Sequence, residues 1–130
     1  MRGREVQEFE GTLKKLFDRI DDELEDRWGG EYPLHPARPA RGVSTNKETD
    51  GLFNVGASFS AGYGSEHGKG YVVDVRLVTL SDVPDETIDE IHAYIARRIE
   101  ELLPEYFPGR ELDVVREGNT FKIIGDLSLS

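Results

Sequence analysis

A chain of 130 residues with 37% hydrophobic and 32% charged side chains is sized for one domain, 1–130, with a core of its own. With no cysteine it has no disulfide, thiolate nucleophile or Cys-based metal centre, and its net charge of −10 argues against general nucleic-acid binding or an anionic membrane surface. The N-terminal residues lack an apolar leader and no run is long enough to span a bilayer, so a cytoplasmic location with no membrane partner is expected.

Residues 5–28 form the first predicted helix. Val6, Phe9, Leu13, Leu16, Phe17, Ile20, Leu24 and Trp28 recur every three or four positions as one apolar stripe. Gly29 and Gly30 supply a stop, and Gly11 inside the helix marks a candidate close contact. Residues 31–50 read as an extended loop, because Pro33, Pro36 and Pro39 hold the preceding residues away from helix. A loop this long inside one domain is usually functional or disordered.

Alternation then takes over. Phe53, Val55, Ala57, Phe59 and Ala61 share one face of a strand over 51–61, and Tyr71, Val73, Val75, Leu77 and Thr79 share one face of another. A Gly-rich connection, 62–70, makes the two a hairpin with a wide loop. A second amphipathic helix is predicted over 84–103, carried by Ile88, Ile91, Ile95, Ile99, Leu102 and Leu103 and ended by Pro104 and the Phe107-Pro108-Gly109 cluster. Residues 112–116 and 120–127, joined at Gly118-Asn119, read as a terminal hairpin. The order α-β-β-α-β-β gives an α+β fold: a four-stranded antiparallel sheet with two amphipathic helices packed on one face. It matches the split β-α-β arrangement with its first strand moved to the end, and leaves a partly polar second face with Asn54, Ser58, Ser60, Asp74, Arg76 and Lys122.

Charge is uneven along the chain. Residues 35–70 carry a net +1 inside a protein of −10, and hold half of the glycines and two of the three histidines. This points to a binding or interaction module in which the two unusual loops form a site for a small anionic ligand or an acidic protein segment. Arg38 and Arg41 would offer guanidinium forks and Lys69 a point charge, with Ser65 and His67 adding hydrogen bonds. The competing internal reading has the arginines pair with surface carboxylates and tether the loop. Because a strand follows the Gly-rich loop, neither phosphate-loop nor dinucleotide chemistry fits, and no cofactor is expected. A second reading is a small enzyme with His35 or His67 as general acid or base, helped by Glu66 or Asp50. No local spacing makes these a metal centre. The acidic face of the first helix reads as solvated. A third reading is a homo-oligomer formed through the polar sheet face or an edge strand.

Overall fold

The computed structural model describes residues 3–44, 46 and 50–127. Helix α1 runs Arg4–Trp28, and its stripe from Phe9 to Trp28 is buried as the periodicity requires. Gly11 departs from expectation: nothing lies within 4 Å of where a Cβ would stand, so no close contact explains it. Helix α2 runs Asp85–Tyr106 and passes through Pro104, where the sequence placed a stop. Only one hydrogen bond is forfeited there, because the missing N–H would have reached the last turn but one. The ring of Phe107 compensates. It is buried, packs 4.5 Å from the ring of Phe9, and its N–H donates to the Leu103 carbonyl at 2.8 Å. That anchor holds the final turn helical past the proline.

The four strands are β1 (Phe53–Ser60), β2 (Gly70–Leu77), β3 (Leu112–Glu117) and β4 (Thr120–Gly125), ordered β1-β2-β4-β3 with every neighbour antiparallel. The split β-α-β unit is therefore present: β2 and β3, joined by α2, flank β4. Pairing puts Val55 opposite Val75, Tyr71 opposite Ile123, and Val114 opposite Ile123, so these residues share the inner face beneath the helices. Phe53, Val55, Tyr71, Val73 and Ile123 on that face join Ile91, Ile95 and Ile99 of α2 and the stripe of α1 in one core. The outer face carries Asn54, Ser58, Asp74, Arg76, Glu117 and Lys122 and has no helix over it.

The helices are also tied by charge. Glu23 of α1 receives both arms of Arg98 of α2, Nε at 2.8 Å and Nη2 at 2.9 Å, and the Tyr94 hydroxyl at 2.8 Å. The Arg98 hydrogen bond holds the Glu23 carboxyl below its ordinary value of 4.5, against the opposing effect of burial. Burial, then the bond to Glu23, pushes the Tyr94 hydroxyl above its ordinary value.

Candidate functional site

The loop between α1 and β1 is built around one arginine. The His35 N–H donates to the Val78 carbonyl at 2.8 Å, and the His35 ring Nδ1 accepts from the Ala37 N–H at 3.0 Å. These contacts bring Arg38 against the start of β1. Its guanidinium donates to the carbonyls of Gly51 (3.0 Å), Asp50 (2.9 Å) and Phe53 (3.1 Å). Asp50 is 4% exposed and turns its carboxylate the other way, accepting from the N–H groups of Gly42 and Ser44 at 3.0 and 2.9 Å. Arg41 faces α1, pairing with Asp26 at 2.9 Å and Asp22 at 3.4 Å.

Arg38 sits on the free edge of the sheet. The Val78 N–H donates to the Leu52 carbonyl, so by alternation the even-numbered residues of β1 bond to β2, and the odd-numbered ones turn their N–H and C=O outward. Phe53 bears this out: its N–H donates to the Glu25 carboxylate at 2.9 Å and its carbonyl accepts from Arg38. Two side chains thus complete the ladder where a neighbouring strand would. Val55, the next outward-facing residue, is buried at 1% exposure, although its outward groups have no hydrogen-bond partner among the described residues. The cover ends there. Ala57 and Phe59 are the next outward-facing residues, and their outward groups have no hydrogen-bond partner among the described residues. Phe59 is 50% exposed, its ring edge-on to Tyr71 at 5.6 Å. A groove of about 320 Å³ lies beside this stretch between β1 and α1, lined by Leu13, Lys14, Phe17, Gly56, Phe59 and Tyr71 among others. Within it the Tyr71 hydroxyl donates to Glu10 at 2.9 Å.

The Gly-rich loop is built around a lysine from elsewhere. Lys122, on the outer face of β4, is 1% exposed, against the expectation that it lies on an open polar face. The loop folds back over it. Its ammonium donates to the Gly68 carbonyl at 2.7 Å and to Ser65 Oγ at 2.9 Å, and pairs with Glu117 at 2.9 Å. Ser65 Oγ also exchanges hydrogen bonds with the carbonyl and N–H of Gly68 at 3.1 and 3.0 Å. The glycines permit the closure. A Cβ on Gly70 would stand 2.8 Å from the Lys122 side chain, and one on Gly62, at φ +83°, 2.1 Å from the Gly68 backbone. The Lys122 hydrogen bond is the main cause that holds Glu117 below the ordinary carboxylate value.

Ser65 Oγ lies 2.9 Å from the Lys122 amine, which also meets the Gly68 carbonyl and the Glu117 carboxylate, so both side chains are engaged in holding the loop closed.

The sequence-predicted site residues are thus held apart. Arg38 lies at the Phe53 end of β1, whereas Ser65 lies over the column of Ser58, Val72 and Lys122, five residues or roughly 17 Å further along the strand. His35 is tied to Val78 at the first end. His67 is exposed at the second, 4.0 Å from Glu66. Lys69 is exposed on the same loop. Sequence reasoning missed Glu25 as an edge cap and the Lys122–Glu117 pair under the loop. Glu25 carries no signal within a run of acidic residues. Alternation places Lys122 opposite in face to Phe121 and Ile123, but nothing local says that a loop covers it.

Among the described residues no group of three side chains could hold a metal ion, and no helix is long and apolar enough to cross a membrane. Comparison with solved structures yields no match. A protein of Borreliella burgdorferi, described as an uncharacterized protein, is 42% identical over 118 residues, covering 91% of this chain and 92% of its own. Residues 4–125, from the first residue of α1 to the last of β4, match the model of a family described as uncharacterised protein, and the chain belongs to that family.

Proposed function

We propose that the protein is an interaction module whose working surface is the open half of the β1 edge, where an extended polypeptide adds as a further strand. The observation that carries this reading is the change along one edge: the outward groups of Phe53 are satisfied by Glu25 and Arg38, and those of Ala57 and Phe59 are left facing out. Main-chain pairing supplies affinity in strand addition, and pockets for alternate side chains supply selectivity. Both are at hand. The groove against α1 lies on the inner side of Gly56–Phe59, and a second depression of about 460 Å³, lined by Asn54, Ser58, Asp74 and Arg76 among others, lies on the outer side. The opposite edge is guarded in the usual way, since β3 carries Asp113, Arg116 and Glu117 in six residues. Residues 53–60 carry no charge.

An anionic-ligand site formed jointly by the two loops has less support, because Arg38 and Arg41 are engaged by internal acceptors and lie away from Ser65 and Lys69. The test is residue-resolved hydrogen exchange with peptides selected from a displayed random library. Strand addition protects the Ala57 and Phe59 amides and leaves the already bonded Ser58 amide unchanged. Selected peptides that protect other amides, or none, would refute it.

A further inference from the structure

We infer that the strand added at this edge is β1 of a second copy, paired antiparallel about a two-fold axis at Ser58; this rests on the strand-addition reading above. Among the described residues of β1, the outward-facing ones that reach solvent are Ala57 and Phe59; Phe53 is capped by Glu25 and Arg38, and Val55 is buried at 1% exposure with its outward groups unpaired. In an antiparallel pair, residues that bond to each other must both face the shared edge. The register that uses both open residues, and no covered one, sets Ala57 against Phe59 of the second copy and Phe59 against Ala57. A two-fold axis generates both pairs at once, so a single surface is its own complement. Ser58 then faces Ser58 as a non-hydrogen-bonded pair, with Cα atoms about 4.5 Å apart.

Side chains agree with this register. Phe59 is on the inner face, so each copy lays its half-exposed ring over the small Ala57 of the other, at the mouth of that copy's groove. Charge selects the occupant too. A protein at −10 repels its own copies over most of its surface, and residues 53–60 form a strand with no charged side chain. Asp74 and Arg76, the outer-face residues of β2 behind it, are of opposite sign. The joined sheet would have eight strands with all helices on one side.

The absence of cysteine makes the register directly readable. Ser58→Cys introduces a single thiol. In this register its Cα separation falls within the range of about 4.4–6.8 Å that a disulfide needs. Ser60→Cys is the control, because Ser60 faces Gly56 of the second copy and its own counterpart is four residues away, roughly 13 Å. Under mild oxidation at micromolar concentration, Ser58→Cys is expected to form a covalent dimer at least about tenfold faster than Ser60→Cys. Wild type should show the mass of two chains, and Ser58→Glu, which sets two like charges face to face, the mass of one with its fold intact.

Equal cross-linking of the two thiols, or a dimer that survives Ser58→Glu, overturns the inference. So does a wild-type monomer whose Ser58→Cys form does not link. If that monomer nevertheless protects Ala57 and Phe59 on binding a selected peptide, the second copy is wrong and strand addition stands. If it protects neither, both fall.

Discussion

The two ends of the β1–β2 hairpin solve the same problem in opposite ways. At the Phe53 end the loop brings the cation, and Arg38 reaches into the strand to take three backbone carbonyls. At the far end the strand brings the cation, and the Gly-rich loop closes over Lys122 to offer a carbonyl and a hydroxyl. Both ends direct positive charge at backbone that would otherwise lack a partner. The comparison teaches that a basic residue of the 35–70 segment, Arg38, can be structural, and that the loop at the far end is held by a cation from outside that segment. Peptide carbonyls at loop crossings need donors as much as a bound anion does.

The largest expected effect is at the lysine end. Lys122→Ala removes the cation shared by Glu117 and the loop carbonyl together with a buried stem, a loss of about 3 kcal/mol in denaturant unfolding. Hydrogen exchange should quicken at Gly68 while the Gly42 and Ser44 amides, held by Asp50, keep their protection. A variant as stable as wild type would break the comparison. Arg38→Ala should cost about 2 kcal/mol with the exchange pattern reversed. Arg38→Lys should recover little, because one ammonium cannot span three carbonyls as a planar fork does.

A third variant lies outside both ends and calibrates them. Glu23→Gln removes the anion shared by Arg98 and Tyr94, with an expected cost of about 1 kcal/mol at neutral pH and no change in exchange at either loop. The folded carboxyl titrates below its ordinary value of 4.5. Its contribution is therefore complete above that value and is lost as pH falls through the lowered one. Wild type and Glu23→Gln should converge in stability in acid, and a gap that persists there would assign the effect to packing. The smallest effect belongs to Arg41→Ala, roughly 0.5 kcal/mol and weaker in high salt, since Arg41 remains 45% exposed. In the sequence Arg38 and Arg41 look like a matched pair. A tenfold difference in their effects on unfolding would separate them.

The fold was legible because its signals are periodic. The stripe from Phe9 to Trp28 and the alternation from Phe53 to Phe59 each repeat often enough to survive an error at the ends. Pro104 misled for a physical reason: a proline forbids the bond behind it but not the turn ahead, and Phe107 held that turn from outside. The candidate site was far less readable. Free edges depend on strand order, and strand order depends on which face each helix covers. The uncharged run from Phe53 to Ser60 was visible, but not that Glu25, twenty-eight residues earlier, would cap its first residue. The loops stood out for composition, and composition does not say whether a charge faces inward.

Burial of Lys122 also makes it a clock. Amine-directed acylating reagents will reach Lys69 on the open surface at once, whereas Lys122, 1% exposed, is accessible only when the loop above it lifts. The ratio of the two labelling rates, followed by mass spectrometry under native conditions, would report how often the Gly-rich loop opens. The acylated lysine could not re-form its ammonium contacts, so each opening would be recorded permanently in the mass of the chain.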